Sequence, residues 1–173
     1  MLFRSTRIRA FLKKAPVEWS ELDINEVIHE VLALAGHELQ NRGVLTEYRL
    51  TKMLPHVLAD RIQLQQVLLN LIMIGIEALT AVTGRPRQLW VQSGIDESGN
   101  VLVAVSDSGT GFGSEMECVF TPFFTTKAKG MGMGLSISRS LIEGHGGRLW
   151  ATPNSPHGAV FSFTLPAAGG SSS

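Results

Sequence analysis

Gln65–Leu79, QQVLLNLIMIGIEAL, is apolar nearly all round and reads as a buried helix. Asn70 and Glu77 break the pattern, and their spacing puts them on one face. Ile74 lies midway along that otherwise polar face. What an isoleucine does there bears on whether the chain is a working enzyme. The helix opens at Asp60 and Gln63, a good N-terminal pair, and runs through Leu79.

Working outward, ELDINEVIHEVLALAGHELQNRG upstream is an amphipathic helix. Asp23 and Glu26 have capping-box spacing, and Gly43 suits the stop. Ile24, Val27, Ile28, Val31, Ala35 and Leu39 keep the helical period. VLTEYRL reads as a strand and LPHVLAD as a short extended piece. Downstream, RQLWVQSGI and NVLVAVSDS form a hairpin joined by DESG. A glycine-rich region spans Gly109–Gly134, and a third helix starts near Met133 and ends at GHGG. GRLWATP and AVFSFTL are closing strands. The expected fold class is α+β, a two-layer sandwich with a mixed, mostly antiparallel sheet covered on one face by helices.

The chain has 173 residues with 15 basic and 15 acidic side chains. That length suits one compact domain. Neutral balance argues against bulk nucleic-acid binding. One cysteine, Cys118, excludes an internal disulfide framework and fits a reducing, cytoplasmic setting. The apolar run around Asn70 falls short of the roughly 20 residues a bilayer needs, so no direct membrane contact is expected; tethering of a parent protein stays open. Residues 1–19 are basic, with Leu2, Phe3, Ile8, Phe11 and Leu12 as a short apolar seam. They read either as the end of a helix whose partner lies outside this chain or as a frayed terminus. Residues 20–166 form the domain, and 167–173 read as a flexible tail.

Three segments carry chemistry. DSGTGFG, Asp107–Gly113, follows a strand; a carboxylate there accepts hydrogen bonds from an exocyclic amine, and Gly109 and Gly111 allow close backbone approach to a flat ligand. Taken alone, it reads first as an ordinary strand-to-loop turn. KGMGMGLSIS places Gly130, Gly132 and Gly134 before a helix, whose N–H groups suit an anion. It lacks the strand lead-in of a dinucleotide fingerprint and the GK[ST] of a P-loop. The buried amide of Asn70 is suited to orienting a phosphate or sharing a cation, although satisfied core asparagines are commoner.

The order of these signals, with VFTPFFTTK between the glycine segments, resembles the catalytic, ATP-binding domain of sensor histidine kinases. That family sits within the superfamily shared with gyrase, the Hsp90 chaperone and MutL. QQVLLNLIMIGIEAL is similar to its N box, DSGTGFG to its first glycine box, VFTPFFTTK to its F box, and GMGMGLSISRSLIEGHGGRLWA to its second. The resemblance implies that Asp107 binds the adenine amine and that Gly109 and Gly111 flank the base. Gly130, Gly132 and Gly134 would form a lid near the triphosphate. Phe123, Thr125, Lys127 and Leu135 would complete the ATP contacts. Asn70 matches the first N-box asparagine, a catalytic and metal-facing position. The second, which holds Mg²⁺ in the family, falls on Ile74, which cannot coordinate.

The implied cofactors are therefore ATP and Mg²⁺, the latter without its usual ligand at Ile74. Asn70 stands where hydrolytic relatives carry a glutamate, which favours phosphoryl transfer over hydrolysis. The implied partners are the kinase's own dimerisation and phosphoacceptor domain and a response regulator. The isolated domain is expected to be a monomer. HELQNRG at His37 imitates an acceptor box but lacks its proline; His37 and His29 read as solvated. His145 reads as a C-terminal cap favoured as a cation by the helix dipole. A nucleotide-binding pseudokinase is the alternative function.

Overall fold

A computed structural model of the chain describes residues 17–111, 119–120 and 134–169. Five strands make the main sheet: β2 (Val44–Leu50), β4 (Arg87–Ile95), β5 (Val101–Asp107), β6 (Arg148–Pro153) and β7 (Ala159–Leu165). Their order is β2-β4-β5-β7-β6, parallel between β2 and β4 and antiparallel elsewhere. A separate antiparallel pair joins β1 (Trp19–Leu22) to β3 (Val57–Asp60), with Trp19 opposite Asp60. Helices α1 (Ile24–Asn41), α2 (Arg61–Thr80) and α3 (Gly134–Gly144) supply the second layer. This is the expected sandwich with its mixed, mostly antiparallel sheet.

The strands alternate as a one-sided sheet requires. Leu89 and Val91, then Val101, Val103 and Val105, then Phe161, Phe163 and Leu165 are all buried. They meet Leu64, Val67, Leu68, Leu71, Ile72, Ile76 and Leu79 of α2 and the Ile24, Ile28 and Val31 face of α1 in one core. α2 is 20 residues long and, by length and composition, apolar enough to cross a membrane. The apolar run considered from sequence, broken by Asn70, Gly75 and Glu77, is shorter than the helix that contains it. Its burial against α1, β4 and β5 makes it the central core helix.

Local signals act nearly as written. Asp23 Oδ1 accepts the Asn25 N–H at 2.9 Å and caps α1. Glu26 does not close a box there; its carboxylate lies 3.5 Å from the Arg61 guanidinium. Asp60 Oδ1 accepts the Gln63 N–H at 3.0 Å and caps α2, while Oδ2 accepts the Glu18 N–H at 2.9 Å. β1 was not foreseen, and Glu21 and Leu22 belong to it rather than to α1. Beyond β7, Ala167 bridges Val57 and the Ala168 N–H donates to the His56 carbonyl at 2.7 Å. The first residues of the expected tail are thus tied to β3.

His29 and His37 are exposed on α1, as expected. His145 departs from expectation. It is buried, with Nδ1 2.7 Å from the Leu141 carbonyl and Nε2 3.1 Å from the Asp60 N–H. A carbonyl only accepts and an amide N–H only donates, so the proton sits on Nδ1 and the ring is neutral. The ring also packs on Trp19, with centroids 4.5 Å apart. His145 therefore ties α3 to the β1–β3 pair as a two-sided linker rather than a cationic cap.

Asp60 holds two backbone donors through its carboxylate and offers its own N–H to His145. Asp60→Ala is expected to lower the unfolding free energy by about 1–2 kcal/mol, measured by urea denaturation; no loss would overturn this reading of the α2 N-terminus.

Candidate functional site

Asp107 is the last residue of β5 and is only 2 % exposed. Alternation along β5 turns it to the helical side, and Leu89 lies opposite on β4. Its Oδ1 accepts the Gly109 N–H at 2.8 Å, and the Ala159 N–H also donates to its carboxylate. Burial pushes its pKa up from 3.8 to about 6, and the two backbone donors hold that rise in check. A carboxylate at this depth is a demanding acceptor, suited to a ligand N–H.

The chain packs tightly around it. A Cβ on Gly109 would lie 2.7 Å from Ala78 Cβ and 2.8 Å from the Ala78 carbonyl. The turn therefore lies directly on α2. Gly111 has φ +75° and abuts the Gly158 carbonyl. On the α2 side, a Cβ on Gly75 would stand 2.7 Å from Leu89 Cδ1 and 3.9 Å from Asp107 Oδ2. Sequence reasoning missed Gly75; a glycine inside so apolar a helix is the signal of a close approach.

One turn back from Ala78 along α2 is Ile74, and one turn further is Asn70. Asn70 Nδ2 donates to Ser138 Oγ of α3 at 2.9 Å. A Cβ on Gly134 would lie 2.7 Å from Asn70 Oδ1 and 2.8 Å from Nδ2. The amide thus holds the first turn of α3 against α2. Ser138 is buried and was not foreseen. Ile74 is half-buried and packs on the core.

The structure therefore sets Asn70, Ile74, Asp107, Gly109, Gly111 and Gly134 along α2 and the ends of its neighbours. Leu135 is 9 % exposed and belongs to the core. Phe123, Thr125, Lys127, Gly130 and Gly132 lie outside the described residues.

Magnesium takes oxygen ligands in a near-octahedral shell. Along the Asn70 wall the donor set is a single amide oxygen, and Ile74 presents hydrocarbon. Among the described residues no group of three His, Cys, Asp or Glu could hold a metal ion. These residues do not fit a protein-built magnesium site.

The model of the histidine kinase-, DNA gyrase B- and HSP90-like ATPases matches residues 59–169. The chain belongs to this family. Sensor protein FixL of Bradyrhizobium diazoefficiens is 44 % identical over 165 residues, 94 % of this chain and 32 % of that protein. Sensor histidine kinase ZraS of Klebsiella oxytoca is 35 % identical over 159 residues, 91 % of this chain and 34 % of that protein. The chain spans about a third of the length of these curated relatives. Among solved structures, the catalytic domain of histidine kinase ThkA superposes with TM-score 0.75 at 37 % identity, over 87 % of this chain and 96 % of that one. ThkA in complex with the response regulator protein TrrA gives TM-score 0.73 at 33 % identity, over 96 % and 48 %. The chain is thus an ATP-binding catalytic domain of the sensor histidine kinase type.

In this kinase-type domain the raised pKa of Asp107 has a stability consequence. The folded state keeps a proton that the unfolded chain loses between pH 3.8 and about 6. Stability therefore falls as pH rises through that window, by about 3 kcal/mol from this group at most. Asp107→Asn, which keeps one acceptor oxygen and cannot ionise, is expected to remove this part of the slope. Urea unfolding at pH 4.5 and 7 checks it, and equal slopes for the two proteins would contradict it.

Proposed function

We propose that this domain binds ATP with the adenine amine on Asp107 and the phosphates toward Asn70 and the Gly130–Gly134 run. In the parent protein it transfers the γ-phosphoryl group to a histidine on a separate dimerisation domain, and the phosphate passes on to a response regulator. The observation that carries this reading is the buried Asp107 carboxylate at the end of a central strand, beside a glycine turn. Family membership supports the nucleotide. The ThkA structure with TrrA supports a response regulator as partner. The setting proposed is cytoplasmic, and the separate acceptor leaves this domain monomeric in isolation.

In the transfer the acceptor imidazole nitrogen attacks the γ-phosphorus, the bond to the β–γ bridging oxygen breaks, and ADP leaves. Asn70 has no ionisable group to take a proton from water. That disfavours hydrolysis as the chain's reaction. Its amide instead serves as a neutral hydrogen-bonding group near the phosphates while bracing α3.

Ile74 impairs the transfer. It fills the position at which the family pattern carries its second asparagine, and it sets methyl groups where charged oxygens need polar partners. Nucleotide binding survives better than phosphoryl transfer, because the base site depends on Asp107 and not on the metal. Ile74 equally favours a second reading, a nucleotide-binding module that regulates partners without catalysis.

Calorimetric titration of ATP with and without Mg²⁺ tests the role given to Ile74, and the expected result is a weak magnesium dependence. Tight, strongly magnesium-dependent binding would refute it. Ile74→Asn, assayed with the dimerisation helices restored, is expected to raise phosphohistidine formation about ten-fold or more. No gain would favour the non-catalytic reading.

A further inference from the structure

The turn that carries Asp107 is held from two sides by side chains that lie outside the four sequence boxes. Arg85, in the connection between α2 and β4, is half-buried. Its Nη1 donates to the Ser108 carbonyl and its Nη2 to the Gly109 carbonyl, the latter at 3.2 Å. Asn154, in the connection between β6 and β7, donates through Nδ2 to the Asp107 carbonyl at 2.9 Å. Three successive backbone carbonyls, those of residues 107, 108 and 109, are thus tied by two side chains reaching in from different loops.

We propose that Arg85 and Asn154 are positioning residues that brace this carbonyl row and so fix the direction of the Asp107 carboxylate toward the base. The inference rests on the reading that Asp107 selects the adenine amine.

The physical argument starts from the turn itself. Glycines at 109 and 111 give it more backbone freedom than any other residue type would. A carboxylate that reads one N–H must be held to within a fraction of an ångström to discriminate. β5 fixes Asp107 on its strand side through the ladder with β4 and β7. Past the strand end, Ser108 is still pinned to β4, with Ser108 N–H to the Gln88 carbonyl and Gln88 N–H to Ser108 Oγ, both at 3.0 Å. Beyond that point the Arg85 fork takes over. A planar guanidinium bonds two adjacent carbonyls in one geometry, which a lysine does not reproduce.

The opposite side is equally specific. Gly158 has φ +99°, and a Cβ there would sit 1.9 Å from the Asp107 carbonyl oxygen. The β6–β7 loop therefore presses backbone to backbone against the turn. The Asn154 N–H closes that loop on the Gly158 carbonyl at 3.0 Å. This delivers the Asn154 amide to the Asp107 carbonyl, while its Oδ1 accepts the Ser155 N–H.

The test compares ATP with purine riboside triphosphate, the analogue lacking the exocyclic amine, by calorimetric titration at fixed magnesium. The wild-type domain must first prefer ATP, by about ten-fold. Absence of that preference would refute the Asp107 reading itself and leave the brace without a role. Given the preference, Arg85→Ala and Asn154→Asp are expected to weaken ATP about ten-fold while leaving the analogue within about two-fold. Asn154→Asp keeps the acceptor for Ser155 and replaces the donor with a charged oxygen that repels the Asp107 carbonyl. Arg85→Lys is expected to recover less than half of the logarithmic loss. Equal weakening of both ligands would mark a merely structural role and overturn the proposal, as would no weakening of either. Should Arg85→Ala fail to melt cooperatively, Asn154→Asp carries the same comparison.

Discussion

A buried carboxylate is the constraint around which this domain is arranged. Asp107 sits in the least hydrated part of the site, where its charge is costly and its pKa rises toward neutrality. Two backbone N–H groups offset only part of that cost. A side chain so placed weakens the empty fold, and stability alone would favour an apolar residue there. What keeps the arrangement intact is geometry on every side. β4 and β7 fix the strand, α2 closes over the turn at Gly75 and Ala78, and the β6–β7 loop backs it at Gly158.

The same helix serves the core and the site, and the helical period separates the two. Leu64, Val67, Leu68, Leu71, Ile72, Ile76 and Leu79 face inward. Asn70, Ile74 and Ala78 follow on the adjoining stripe, one turn apart. Isoleucine at the middle of that stripe suits the fold, because it extends the apolar surface the helix already packs with. It suits phosphate chemistry poorly, because it offers no oxygen. On the function proposed here, folding and catalysis pull this position in opposite directions.

Most of the architecture was legible from sequence because period and capping agreed with it. Asp23 and Asp60 cap the helices whose starts they mark, and the strand pair around DESG forms a hairpin. β1 escaped because Trp19–Leu22 has no alternation of its own and is a strand only through its pairing with β3. The neutral state of His145 escaped for a similar reason. Its partner at Asp60 is 85 residues away, so local position suggested a charge that the distant N–H rules out. At the site, the glycine boxes and Asn70 were readable as motifs. Gly75, Ser138, Arg85 and Asn154 were not, since each acts through a contact that only the folded chain creates. Gly75 alone left a trace, a residue with no side chain inside an apolar helix.

The parallel pairing of β2 with β4 also governs how the site comes into being. Parallel neighbours cannot be joined by a tight turn, so the chain between them must make a long excursion. Here that excursion contains β3 and the whole of α2, and with α2 the wall that bears Asn70 and Ile74. Pairing the edge strand thus closes a long loop, and the loop-closure entropy of that contact is a cost the wall-bearing helix is carried within.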